Sequence, residues 1–305
     1  MTRLRTFASV VLIAGLWFCT AAAPASQSSS SRERSMYVSV VDQSGAPVPD
    51  LGPSDFVVKE DNVSREVLRV TPANDPMQIA VLVDTSTAAR NEIAHIRQAL
   101  PPFVAAMTTP LDNGRHNEIA IIGIGERPTI LSEYAIDPNV VKKGIDRIWA
   151  TQNSGMYLID AIIETSQGLK KREAQRPVII SIATAGVEYS NRMHDQAIDP
   201  LKATSIAYYA LSLGQPDSSL RTESRERAMV LDEGPRVTGG YHEQLLTGMA
   251  LTPKLEQLAD QLKHEYKLTY ARPESLIPPE KITVSATKAD LIARGTPVRE
   301  ESTRP

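Results

Sequence analysis

Thiol chemistry is nearly absent from this chain: its 305 residues hold one cysteine, Cys19, inside an N-terminal stretch that reads as removed on export. A chain cut after that stretch has no disulfide and no thiol nucleophile, so its apolar core must hold it together unaided. An excess of basic charge is lacking too. Lys and Arg number 33 against 36 Asp and Glu, a formal charge of −3, which excludes an overall footprint for nucleic acid. The most basic stretches are residues 170–172 and 221–227, and the second is mixed in sign and reads as a solvated helix face. The five histidines (His95, His116, His194, His242, His264) never fall in an HExxH or HxH spacing, so a zinc site has no support. Neither a Gly-x-Ser-x-Gly elbow nor a Walker A sequence occurs. The pair Gly123 and Gly125 lacks the third glycine of a nucleotide loop and reads as a close-packing turn. These absences point away from an enzyme and leave no catalytic residue to name.

What is present begins with an export signal. Arg3 and Arg5 precede an apolar run from Phe7 to Phe18, and Ala23 and Ala25 supply the small residues of a cleavage site before Ser26. The run is too short to cross a hydrocarbon layer of about 30 Å as a helix, so no transmembrane helix is expected in the mature chain. A retained anchor is the competing reading. Lipid attachment at Cys19 is another, opposed by the bulky Phe18 where such signals need a small residue. The organisation that follows is a signal over 1–25, a flexible leader over 26–35, and a β-rich flank over 36–74. An α/β domain over 75–264, a second β flank over 265–296 and a frayed tail over 297–305 complete it.

The central segment carries the strongest pattern. Continuous apolar runs at 78–83, 118–124, 177–182 and 205–211 read as strands covered on both faces. Helical stretches at about 89–107, 138–149, 158–171, 195–204, 220–232 and 251–264 alternate with them. That alternation predicts an α/β fold with a doubly wound, mostly parallel sheet. The flanks alternate apolar and polar residues instead, at 36–42, 56–60, 67–70, 266–270 and 281–285. They are expected to join in one small β-rich domain built from both chain ends, with Val38–Val41 against Ile282–Val284.

Ligands of open parallel sheets bind outside the carboxyl ends of the strands. The first buried run ends in Asp84, Thr85, Ser86, Thr87 and Ala88. This resembles the Asp-x-Ser-x-Ser signature of the metal-ion-dependent adhesion site in the von Willebrand factor A (VWA) superfamily. Residues 40–48, 55–61, 238–240 and 266–270 recur in the order seen in a secreted bacterial VWFA-related group, and the resemblance covers about residues 36 to 296. It implies a non-catalytic interaction or adhesion module that binds another protein. In the superfamily a carboxylate and two hydroxyls on the first loop, a threonine on the second and an aspartate on the third hold Mg²⁺, and an acidic partner group completes the shell.

Here Asp84 and Ser86 match, but Ala88 replaces the second hydroxyl, Met156 the threonine and Ala185 the aspartate. Three of five ligand positions lack a hard oxygen, so no metal is expected beyond weak Mg²⁺ on Asp84 and Ser86, with Thr184 or Glu188 as substitutes. Asp84, Ser86 and Thr87 also suit helix capping. The partner-binding rim is then expected at Asp84, Ser86, Ala88, Gly155, Met156, Tyr157, Ala185 and Tyr189, with Met156, Tyr157 and Tyr189 as packing anchors. Two other readings stay open: a structural envelope component, and an enzyme in which Asp84, Asp160 and Glu188 converge.

Overall fold

The computed structural model describes residues 31–215, 221–273 and 277–299. The expected signal over 1–25 and most of the leader lie outside the described residues. The N-terminal flank supplies β1 (Ser31–Val41), β2 (Phe56–Glu60), β3 (Val63–Arg65) and β4 (Val67–Pro72). The central segment runs β5 (Met77–Val83), α1 (Ile93–Thr108), β6 (Glu118–Gly123), β7 (Thr129–Ala135), α2 (Pro138–Ile145), α3 (Leu158–Lys171) and β8 (Arg176–Thr184). It continues through α4 (Asp195–Ala203), β9 (Ala207–Leu213), α5 (Thr222–Thr238), β10 (His242–Leu245) and α6 (Leu251–Lys263). The C-terminal flank adds β11 (Tyr266–Pro273), β12 (Ile282–Ala286) and β13 (Ile292–Pro297).

The central sheet has the order β10-β9-β8-β5-β6-β7. Every neighbouring pair is parallel except β6 with β7. Strand β5 shows why its apolar run is continuous. Ile79, Val81 and Val83 enter one core with Leu100 and Phe103 of α1 and Leu255 and Leu258 of α6. Ala80 and Leu82 enter the other, with Ile162 of α3, Leu201 of α4 and Val230 of α5. Successive side chains of a strand point to opposite faces, so a sheet wrapped by helices on both sides needs apolar residues at every position. Among the described residues, no helix is long and apolar enough to cross a membrane.

The flanks fold together as two antiparallel sheets, β13-β1-β11-β4 and β12-β2-β3. Met36, Val38 and Val40 of the first pack with Phe56, Val58 and Val284 of the second, which closes a small sandwich. The expected neighbours are corrected in detail. Strand β1 pairs with β11 and β13, while Ile282 pairs with Glu60 of β2, so Val284 meets Met36 and Val38 across the core and not along a ladder. Pairing also begins at Ser31, opposite Pro273, inside the stretch read as a flexible leader, and reaches Pro297, where the frayed tail was expected to start.

Two further differences bear on the site. Strand β7 was not expected, because its exposure follows no period of two and its ladder with β6 is broken by register shifts. Arg227 was expected on a solvated face, yet it is 4% exposed on α5 with Val230, Leu231 and Gly234 three, four and seven residues on. That spacing is the apolar stripe of the helix, and a charged residue on it needs a buried partner.

Candidate functional site: the carboxyl rim of the sheet

Strands β5 and β8 are neighbours, while the chain leaves β5 for β6 on its other side. The loops after β5 and β8 therefore diverge at a topological switch point and leave a crevice at their carboxyl ends. Asp84 stands there, fully buried. Its Oδ1 accepts the Ser86 N–H at 2.8 Å and its Oδ2 the Thr184 N–H at 3.1 Å. The Thr184 hydroxyl donates to the same Oδ2. Protein donors thus hold both carboxylate oxygens.

The other adhesion-site positions give the same picture. Ser86 Oγ is buried with no hydrogen-bond partner, so the serine does not cap the following turn. Thr87 does not cap either; its hydroxyl donates to Thr151 O at 2.9 Å and accepts the Ser154 N–H at 3.1 Å, tying the first loop to the second. Gly186 presses on the first loop so closely that a Cβ there would fall 2.9 Å from Ala88 Cβ and 3.2 Å from Ser86 Oγ. Met156 is 0% exposed within the core beneath the rim. Its expected role as a contact anchor is corrected: the thioether fills the place of a hydroxyl from below and offers no surface. Ala185 is exposed and carries no oxygen in its side chain. The adhesion-site cation does not fit this donor set: one carboxylate with its oxygens already bonded and one buried hydroxyl cannot compensate a small divalent ion.

The second and third loops are joined by their backbones. Met156 N–H donates to Val187 O at 2.8 Å, and Tyr189 N–H to Met156 O at 2.7 Å. Gly155 lies under the Tyr189 ring, where a Cβ would come within 2.7 Å of ring carbons, and Tyr157 meets that ring edge-on at 6.0 Å. Glu188 sits below, 1% exposed, accepting the Leu158 N–H of the first turn of α3 at 3.3 Å and the Ser190 N–H at 3.0 Å. Arg227, which sequence reasoning missed, donates to Gly186 O from α5. Its signal was the place of a charge on an apolar stripe.

Burial pushes the Glu188 carboxyl up to about 7, against the opposing pull of the Ser190 and Leu158 hydrogen bonds and the Arg227 charge. A carboxyl raised in the folded state contributes stability below its unfolded value near 4.5, and loses it as pH rises through about 7. Between those values the loss corresponds to roughly 3 kcal/mol. Chemical denaturation across pH 4.5 to 8 is expected to show this decline, and Glu188→Gln is expected to flatten it. An unchanged slope in the variant would assign the decline elsewhere.

The three carboxylates considered together are separately engaged. Asp84 holds Ser86 and Thr184, Glu188 holds α3, and Asp160 pairs with Arg192 at 3.0 Å near the surface. Among the described residues, no group of three or more His, Cys, Asp or Glu side chains is placed to hold a metal ion. What faces solvent at the rim is Thr87, Ala88, Ala185, Val187, Tyr189 and Met193, with Tyr157 half-buried between them. Asp84, Ser86 and Gly155 are buried and shape the rim from below.

No protein-family model matches this chain, and no curated protein matches it. Solved structures do. A von Willebrand factor type A protein from Catenulispora acidiphila aligns over 88% of this chain and 66% of its own length, with 11% identity and a TM-score of 0.54. Proximal thread matrix protein 1 from the mussel byssus aligns over 67% of this chain and 49% of its own, with 13% identity and a TM-score of 0.50. The chain thus spans about half the length of the mussel protein and two thirds of the bacterial one. With the sheet order and the switch-point crevice, these likenesses define the class: the chain has a VWA-like fold. Within that class it carries a rim in which Thr184 engages the Asp84 carboxylate.

Proposed function

We propose that this chain is an exported, non-catalytic protein-interaction module on a VWA scaffold with a degenerate adhesion site, whose partner docks on the carboxyl rim without a bridging cation. The observation that carries this reading is the buried Asp84 carboxylate, both of whose oxygens accept hydrogen bonds from Ser86 and Thr184. Binding then relies on packing, and the exposed members of the rim are suited to it. Tyr189 is 49% exposed, Met193 55% and Val187 39%, beside the half-buried Tyr157. A tyrosine braced on a glycine and another ring offers area at small entropic cost, as at interface hot spots. Export rests on the basic, apolar and small-residue pattern over 1–25.

The test is capture from envelope extract with wild-type and Tyr189→Ala baits in buffer containing a chelator. A partner held by the wild type in chelator and lost or weakened at least about tenfold by Tyr189→Ala is the expected result. A melting curve of the variant separates lost contact from lost folding. A partner released by chelator, or held equally by both baits, would refute the reading. Amino-terminal sequencing of the exported protein is expected to begin at Ser26.

A further inference from the structure

A small polar cavity lies at the seam between the sandwich and the edge of the central sheet, and none of its walls belongs to the rim. Its volume is about 220 Å³, and Asp42, Tyr241, Glu243, Lys254, Ile292 and Arg294 are among its walls. Separate parts of the chain build it. Val41 ends β1 and stands opposite Ile292 of β13, and Arg294 lies two residues on, so it shares a face with Ile292. Tyr241 precedes β10, the terminal strand of the central sheet, Glu243 lies on β10, and Lys254 stands on α6. The turn after β1 is a fixed wall, because Gln257 Nε2 donates to Ser44 O at 3.0 Å and Gln261 Nε2 to Gly45 O at 2.8 Å. Small ligands bind preferentially at seams between units. The volume falls below the roughly 300–1,000 Å³ of pockets for drug-sized ligands, so the occupant is small.

The charged groups around the cavity are two of each sign: Asp42, Glu243, Lys254 and Arg294. Lys254 and Glu243 neutralise each other at 2.7 Å, and Lys254 also donates to Gln257 Oε1 at 3.1 Å. The other two have no ion partner. The half-buried Arg294 guanidinium rests 5.2 Å from the centre of the Tyr241 ring and, among the described residues, makes no hydrogen bond or ion pair. Its planar fork is held against a ring with its donors free, the arrangement that takes a carboxylate through two N–H groups. Asp42 Oδ1 accepts the Ser44 hydroxyl at 2.6 Å, the Ser44 N–H at 2.8 Å and the Ala46 N–H at 3.1 Å. Those bonds, the Ser44 hydroxyl first, hold the carboxyl below its ordinary value, so it is ionised. No cation among the described residues pairs with it. One unpaired cation and one unpaired anion in a single cavity fit a ligand that carries both charges. A dianion such as phosphate would set its second charge against Asp42 and Glu243, and a simple amine would face Arg294 and Lys254.

We infer that this seam binds a small zwitterion of the amino-acid kind, with its carboxylate on the Arg294 guanidinium and its ammonium on Asp42. Val41 and Ile292 give the cavity an apolar side, which suits an aliphatic side chain over a charged one. The walls come from both units, so a bound ligand strengthens their association. This site does not depend on the rim, so Tyr189→Ala leaves it intact.

The test is calorimetric titration of the full chain with valine and leucine, and with acetate and methylamine as the single-charge halves of the ligand. Valine or leucine is expected to bind in the millimolar range or tighter, at least about tenfold more tightly than either half, and to raise the melting temperature. Arg294→Gln removes a guanidinium that no protein group uses, so the variant is expected to fold like its parent and to bind at least about tenfold more weakly. Asp42→Asn keeps the Oδ1 acceptor that holds the turn and removes the charge, with the same loss expected. Melting curves without ligand show that each variant is folded. Absence of saturable heat with both amino acids up to about 10 mM would overturn the site. Acetate bound as tightly as valine, or valine bound undiminished by both variants, would overturn it as well.

Discussion

Arg176→Ala is expected to destabilise the chain by about 3–5 kcal/mol in chemical denaturation, the range for breaking a buried ion pair from one side. The partner left behind is Glu265, 7% exposed, with Tyr209 Oη at 3.2 Å as its remaining polar contact. Burial and that carboxylate together hold the Tyr209 hydroxyl well above its ordinary value, so the tyrosine stays a neutral donor. The position also joins the two units. Arg176 opens β8, bonds the connection between β4 and β5 through Ala73 and Asp75, and bonds the end of α6 through Leu262. Its guanidinium stacks 4.9 Å from the Tyr37 ring of β1, whose hydroxyl donates to Asp75 at 2.8 Å. A second result is therefore expected from the same variant: the single melting transition splits, the sandwich unfolding before the α/β unit. Arg176→Met with Glu265→Leu should recover much of the loss, since an apolar pair of similar volume carries no stranded charge. A loss below about 1 kcal/mol in Arg176→Ala would show that water reaches the pair and that other contacts join the units.

How much of this was legible in the sequence depends on how local each signal is. The run 78–83 announces a doubly covered strand because both faces of β5 meet helices, and that constraint is written at every position. The losses at Ala88, Met156 and Ala185 were legible for a similar reason, since a ligand either has a hard oxygen or lacks one. Their consequence was not. That Thr184 closes on the Asp84 carboxylate depends on two strands a hundred residues apart being neighbours. Met156 read as an anchor because a thioether suits either a surface or a core, and only the placing of α3 decides between them. The short strands β10 and β13, and β7 with its irregular ladder, are set by neighbours more than by their own pattern. Arg227 was obscured by the alternating charges around it, although its spacing to Val230, Leu231 and Gly234 gave its true side.

Asp84→Ala separates a closed rim from a cation-bearing one. In a rim that lives by its ion, the aspartate serves the ion, and its loss abolishes binding with a modest effect on folding. Here the carboxylate accepts from the Ser86 N–H, the Thr184 N–H and the Thr184 hydroxyl in a fully buried place. Truncation strands all three donors, each costing about 1–3 kcal/mol, so a loss of at least about 3 kcal/mol is expected by chemical denaturation. Thr184→Val removes one donor and should cost less. For the wild type, neither chelator nor millimolar Mg²⁺ should move the melting temperature, because an ion that binds the folded state alone must raise it. Joint replacement of Ala88→Ser, Met156→Thr and Ala185→Asp returns the missing oxygens, and its melting temperature should then rise with Mg²⁺. Calorimetric titration gives the affinity directly. A wild-type chain that is stabilised by Mg²⁺, or an Asp84→Ala variant as stable as its parent, would mean that the carboxylate waits for an ion and that Thr184 merely stands beside it.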